Sequence, residues 1–131
     1  MKRLAYAVLG LAAAGLAVAV VVTQHASWWQ LVFFAAAPDL ALLAGASSGL
    51  ARGQLHPRAV PLYNAVHRFW APAILIVLTF VLRSEAADID PMYAWLGGGL
   101  AWTAHIAFDR SLVFGLRNAA GFQRESGMTT V

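Results

Sequence analysis

The sequence has no cysteine and few charged side chains, and both shortages limit what the protein can be. Without cysteine there can be no disulfide, no thiolate metal ligand and no cysteine nucleophile. Charged residues make up 11% of the 131 residues, whereas hydrophobic residues make up 60%, and the mean hydropathy is +0.66. A soluble domain of this size cannot bury so many apolar side chains, so we expect lipid to solvate much of its surface.

The few charges are mostly basic, with a formal net charge of +3 at pH 7. In a soluble protein this balance would suggest nucleic acid as a partner, but here the basic residues flank apolar runs, a placement typical of membrane topology signals. We therefore expect a lipid bilayer as the partner and no nucleic acid. If four helices alternate across the membrane, one side receives six basic residues: Lys2, Arg3, Arg52, Arg58, Arg117 and Arg124. The positive-inside rule then predicts that the N- and C-termini are both cytoplasmic and that the acidic loop 84–90 faces outward.

Hydrophobic runs and their breaks predict one all-α domain over residues 1–131, a bundle of four transmembrane helices. The predicted helices span about 4–22, 28–49, 59–82 and 91–116, followed by a polar tail, 117–131. The first run is longer than a signal-peptide core of about 7 to 15 residues and lacks a small-residue cleavage site, so we expect a retained helix. Pro38 removes one backbone hydrogen bond inside the second helix.

Ionisable side chains interrupt these apolar segments. His105, Asp109 and Arg110 lie in the fourth predicted helix, where each charge costs on the order of 3 kcal/mol unless it has a partner or a function. Candidate partners are Asp39 on the second helix and Asn64 and His67 on the third.

Depth predicts that these groups meet. Asp39, His67 and Asp109 lie ten, nine and eight residues from the predicted cytoplasmic ends of their helices. At about 1.5 Å per residue each is roughly 12 to 15 Å deep, in the middle region of the hydrocarbon core. The sequence therefore predicts one polar cluster shared by three helices.

Three motifs carry a resemblance to a known family. Pro38-Asp39 with Leu43, Tyr63-Asn64 with His67, and Ala104-His105-Ile106 with Asp109-Arg110 form the patterns PDxxxL, YNxxH and AHIxxDR. Together with Gly115-Leu116 and Gly121-Phe122, they resemble the motif set of a small bacterial family of four-helix integral membrane proteins whose function is uncharacterised. The resemblance implies a multi-pass protein of the bacterial inner (cytoplasmic) membrane and supplies no chemistry.

The first functional hypothesis is a membrane-embedded hydrolase or isomerase that acts on a lipophilic small molecule. Paired carboxylates and imidazoles are suitable general acids and bases. The candidate catalytic residues are Asp39, His67, His105, Asp109 and Arg110, the last stabilising negative charge. Tyr63, Asn64 and Trp102 are candidate substrate-binding residues.

Other uses of the same residues stay open. His67, His105 and Asp109, with Asp39 as a fourth ligand, could hold zinc or iron. No metal is favoured, however, because the spacing signatures of catalytic zinc sites are missing. Proton relay or transport, with a homo-oligomer completing the pathway, is a second class of function. A structural or partner-binding membrane subunit, in which the polar groups join the helices, is a third.

Overall fold

The computed structural model describes residues 1–83 and 90–124, and the secondary structure there is helical apart from one isolated β-bridge between Arg117 and Gln123. The all-α prediction is thereby confirmed for these residues. The helices are α1 (Lys2–Thr23), α2 (Trp28–Ala36), α3 (Leu40–Ala44), α4 (Val60–Val66), α5 (Trp70–Arg83) and α6 (Asp90–Ser111). The 3₁₀ turns Ala37–Asp39 and Pro57–Ala59 lead into α3 and α4. Most of the predicted acidic loop, residues 84–89, and the end of the tail, 125–131, lie outside the described residues.

The helix α6 is central, and three successive glycines allow its neighbours to approach closely. Residues 97–99 face α1, α2 and α5 in turn. A Cβ added to each would meet Val21 at 3.0 Å, Phe34 at 2.5 Å and Ile76 at 2.7 Å respectively. The triple glycine thus permits close packing against three helices at one level of α6.

The helix α1 packs along α6 through a stripe of small and β-branched residues. Its buried residues are Gly10, Ala13, Ala17 and Val21, a spacing that puts them on one helical face. Gly10 lies against Phe108, whereas Val21 lies against Gly97, so α1 and α6 run antiparallel.

The helix α2 runs parallel to α6 and contacts it through aromatic side chains. The ring centroids of Trp29 and Trp95 are 6.3 Å apart, and those of Phe34 and Trp102 are 5.7 Å apart in a stacked arrangement. Residue numbers therefore increase in the same direction along the two helices, towards Asp39 just after α2 and towards Asp109 near the end of α6.

Two predicted helices are broken, which corrects their expected bounds. The segment predicted as 28–49 ends at Ala44 and is interrupted at Pro38, where a 3₁₀ turn separates α2 from α3. The segment predicted as 59–82 is interrupted between Val66 and Trp70. There Pro72 has no N–H to donate to the carbonyl of residue 68, so the regular helical hydrogen-bond ladder cannot continue.

The last helix is shorter than predicted, whereas the first agrees with its prediction. The helix α6 ends at Ser111 rather than at residue 116. Val113 has φ of +73°, a conformation that is unusual for a β-branched residue and incompatible with a right-handed helix. The helix α1 covers the predicted 4–22 and extends it slightly at each end.

Within residues 1–83 and 90–124, one helix is long and apolar enough to cross a membrane. This helix is α1, whose mean hydropathy reaches 2.4. The segments Pro57–Val66 and Trp70–Leu82, bent by 44°, would make a second span if taken together, and the apolar helical segment Trp28–Ala44 is shorter. The structure therefore confirms a helical protein with one membrane-capable helix, and the predicted four-span bundle is not confirmed.

Candidate metal centre

Four ionisable side chains that are distant in sequence meet in the structure. Asp39 comes from the 3₁₀ turn between α2 and α3, and His67 lies at the break that follows α4. His105 and Asp109 lie one turn apart on α6. One ligand atom from each residue lies within 4.8 Å of those from the other three. The structure thus brings together the three residues that the depth argument placed at a common level, Asp39, His67 and Asp109, and adds His105 to them.

The separations within this cluster have the size of those around a bound metal ion. The Nε2 atom of His67 lies 3.5 Å from Asp39 Oδ1 and 3.6 Å from Asp109 Oδ2. The Nε2 atom of His105 lies 3.6 and 3.5 Å from the same two oxygens, and 3.4 Å from Nε2 of His67. A tetrahedral zinc ion with ligand bonds of about 2.0 to 2.2 Å requires ligand atoms about 3.3 to 3.6 Å apart. Five separations satisfy this requirement, and all the ligand atoms lie within 4.8 Å of one another, so the cluster could hold a metal ion.

The ring of His67 is oriented with one nitrogen towards the cluster. Its Nδ1 lies 2.8 Å from the carbonyl oxygen of Tyr63, and because a carbonyl can only accept, Nδ1 carries the hydrogen of this bond. The Nε2 lone pair of the neutral ring is then free for the cluster, as in metal-ligating histidines whose second nitrogen donates to a carbonyl. The ring also stacks on that of Tyr63, with the centroids 3.9 Å apart.

Two side chains of α6 stabilise the break that positions His67. Trp102 donates its indole Nε1–H to the carbonyl of Val66 over 2.8 Å. Arg110 donates from Nη2 to the carbonyl of His67 over 3.1 Å. These carbonyls end the interrupted helix and need partners from elsewhere. Both residues therefore position the His67 segment, and the direct roles expected for them, charge stabilisation by Arg110 and substrate binding by Trp102, stay predictions.

Among the residues that the structure describes, Arg110 forms no ion pair with a carboxylate. The carboxylates of Asp39 and Asp109 lie within 3.6 Å of the imidazoles of His67 and His105, and these contacts are ion pairs only when the histidine is protonated. The guanidinium of Arg110 contacts the backbone carbonyl of His67 instead.

The segment after α6 folds back onto α4. Asn64 accepts from the backbone N–H of Arg117 over 2.7 Å and donates to its carbonyl over 2.9 Å. The guanidinium of Arg117 lies 5.0 Å from the ring centroid of Tyr63, so this ring is held between Arg117 and His67. Asn64 and Tyr63 thus link the His67 segment to the chain that follows α6. The sequence indicates both residues as candidates for substrate binding, and that contact stays a prediction.

Arg117 is the residue that sequence reasoning missed, since it was interpreted only as a topology signal. It is 8% exposed and donates from Nη1 to the carbonyls of Gly53 and Gly121, each over 2.8 Å. Gly121 has φ of +92°, and a Cβ there would collide with the backbone of Leu55. The Gly121-Phe122 pair in an otherwise polar tail was the available signal that this segment packs tightly.

Exposure rises across the cluster from one side to the other. The side chain of His67 is 3% exposed and that of His105 is 12% exposed, whereas the values for Asp109 and Asp39 are 22% and 52%. Three members are therefore largely enclosed by helices, and Asp39 forms the open edge of the cluster.

Over the part of the chain that the structure describes, the fold and site define a helical protein with one membrane-capable helix and a cluster of two histidines and two carboxylates. The sequence pattern of the family described as Domain of unknown function (DUF4260) matches residues 5–126, and the chain belongs to this family. The expected membership of an uncharacterised family is confirmed, and the importance of its motif positions stays a prediction. No curated protein and no solved structure matches the chain.

Proposed function

We propose that the cluster holds one divalent metal ion, zinc or iron, and that the protein is a membrane-embedded hydrolase. The observation that carries this proposal is the set of five nitrogen and oxygen separations of 3.4 to 3.6 Å among four side chains. Two imidazoles and two carboxylates are ligands suited to zinc and iron. The orientation of His67 by a carbonyl supports a ligand role for its Nε2.

The exposed fractions of the four side chains suggest different chemical roles for them. His67, His105 and Asp109, the three most enclosed, make up a set of three protein ligands such as catalytic metal sites keep. Asp39, at the exposed edge, would be a fourth ligand that could exchange with water and act as a general base. A bound metal would act as a Lewis acid towards a substrate oxygen and make water a better nucleophile.

In the proposed hydrolysis, one proton is transferred first to Asp39 and then from Asp39 to the leaving group. The carboxylate of Asp39 takes a proton from the attacking water as its oxygen forms a bond to the substrate's carbonyl or phosphoryl centre. The same proton passes to the leaving alcohol oxygen as that bond breaks. Isomerisation would use the same groups without consuming water, so the two reactions are distinguished by their products.

The distribution of apolar side chains supports a membrane location. Large apolar residues are exposed along the outer faces of α1 and α5, among them Leu4, Val8, Leu11, Val77, Phe80 and Leu82. Soluble monomers rarely expose continuous apolar surface of this kind. We therefore propose four passes through the bacterial inner membrane, by α1, α2 with α3, α4 with α5, and α6, with both termini cytoplasmic. The antiparallel packing of α1 on α6 suits this topology.

Metal analysis and hydrolysis assays on detergent-purified protein test the proposal together. We expect one equivalent of zinc or iron per chain, lost in His105→Ala and retained in His25→Asn. His25 is exposed with φ of +51°, a conformation that asparagine tolerates, so this control removes an imidazole without straining the chain. Asp39→Asn should retain metal on the three remaining ligands and lose hydrolysis by about 100-fold or more, the usual contribution of a general base.

The assay uses p-nitrophenyl butyrate and a p-nitrophenyl phosphodiester as probes. Wild-type protein without stoichiometric metal would contradict the metal centre. Metal-loaded protein that cleaves neither probe, but carries protons across vesicle membranes, would replace the hydrolase by the relay. Loss of folding in both His105→Ala and Asp39→Asn would favour the structural subunit.

A further inference from the structure

A crevice leads from the apolar part of the bundle to the cluster. It lies between α1, α2 and α6, has a volume of about 270 Å³, and ends at His105 and Asp109. Its remaining wall is apolar and includes Ala14, Val18, Leu31, Ala35, Ala101 and Phe108. Such a space, apolar with a few polar groups gathered at one end, has the composition of small-molecule sites.

Along both α2 and α6, apolar residues that line the crevice are followed by polar residues of the cluster. On α6, Ala101, His105 and Asp109 follow one another at intervals of four residues, while Ala35 lies near the end of α2 and Asp39 in the 3₁₀ turn that follows it. Residues four apart lie on one face of a helix. Because α2 and α6 run parallel, their apolar ends lie side by side, and their polar ends meet at the cluster.

We propose, resting on the proposed function, that the substrate is a single-chain amphiphile with its hydrocarbon chain in this crevice and its polar, hydrolysable group at the cluster. A crevice of about 270 Å³ between three helices suits a segment of one hydrocarbon chain. The polar head then lies beside Asp39, the exposed member of the cluster.

The lining residues distinguish this crevice from another apolar groove on the surface. A wider groove of about 650 Å³ lies over Met1, Leu4, Ala5, Val8, Leu9 and Ala12. All of its wall comes from the start of α1, and no ionisable side chain lines it. It therefore provides a control surface of similar apolar character without access to the cluster.

Photolabelling of the full-length protein in detergent tests the inference without requiring metal or turnover. The probe is a monoacylglycerol whose single chain carries a diazirine near its end. Its head is neutral, so the two carboxylates of the cluster do not repel it. We expect crosslinks to map to the walls of the crevice on α1, α2 and α6.

Matched variants make the result specific. Ala14 is partly exposed and Ala35 exposed, so Ala14→Leu and Ala35→Leu each add bulk to the crevice without overpacking a buried core. Each should lower the crosslink yield about fivefold or more. Ala12→Leu, which adds the same side chain to α1 in the control groove, should leave the yield unchanged.

The outcomes separate this inference from the proposed function. Yields that stay unchanged in Ala14→Leu and Ala35→Leu, or labels spread evenly over the outer faces of α1 and α5, would overturn the crevice as the chain site even if metal is bound. Labelling confined to the crevice in protein that lacks metal would support the chain site and contradict the metal centre alone.

Discussion

The helices α1 and α6 have the same length, 22 residues each, and opposite compositions. The helix α1 reaches a mean hydropathy of 2.4 and buries a narrow stripe of small residues, while its large apolar side chains face outward. The helix α6 contains three successive glycines and the His105, Asp109 and Arg110 side chains, and it contacts α1, α2 and α5.

This difference shows what hydropathy measures in a helical protein. A peripheral helix contacts the surrounding medium, here proposed to be lipid, over most of its surface. The helix α1 is accordingly apolar on nearly all of its faces. A helix enclosed by others can hold polar groups if its neighbours supply partners, as Asp39 and His67 do for His105 and Asp109. The helix α6 thus combines two residues of the cluster with a position enclosed by three other helices.

The largest expected effect is on core packing. Ile106 of α6 is 0% exposed, whereas Leu11 of α1 is 66% exposed. We expect Ile106→Ala to lower the free energy of unfolding by about 2 to 5 kcal/mol, because it leaves a cavity at the centre of the bundle. Leu11→Ala should change it by about 0.5 kcal/mol or less. Reversible denaturation in detergent, followed by circular dichroism, measures both, and equal losses would contradict the central position of α6.

A pair of glycines provides a second comparison. A Cβ at Gly98 would lie 2.5 Å from the ring of Phe34, whereas nothing lies within 4 Å of a Cβ at Gly15. Gly98→Ala should destabilise the protein by about 1 to 3 kcal/mol through overpacking. Gly15→Ala should stabilise it by about 0.5 to 1 kcal/mol through helix propensity. Thermal unfolding of the two variants checks the signs, and destabilisation by Gly15→Ala would show that α1 packs against something at that position.

A comparison of two arginines tests how α6 positions the cluster. Arg110→Gln removes the hydrogen bond to the carbonyl of His67, and we expect metal affinity to fall about 10- to 100-fold with the fold retained, as for other residues that orient metal ligands. Competition against a chromophoric zinc chelator measures the change. Arg58→Gln, at an exposed position, is the control. Unchanged affinity in Arg110→Gln would remove its positioning role.

The sequence was sufficient to predict that Asp39, His67, His105 and Asp109 lie close together. Charges inside apolar segments need partners, and the rise per residue of a helix converts residue counts into depth. The partner of Arg110 was not accessible in this way. The carbonyl of His67 becomes available only where the third predicted helix breaks, and the packing of α6 against that break decides which donor reaches it. The burial of Arg117 likewise depends on the chain folding back onto Asn64 and Tyr63.

By itself, the sequence determined the helical class, the bounds of α1 and the set of ionisable residues that could meet inside the bundle. These follow from composition and from local periodicity, which a chain has before it folds. Only the tertiary structure decided that five separations in the cluster fall between 3.4 and 3.6 Å, and that Arg110 contacts a carbonyl. Such distances join different helices, and they depend on the breaks at Pro38 and His67 and on the close approach that glycines 97–99 permit.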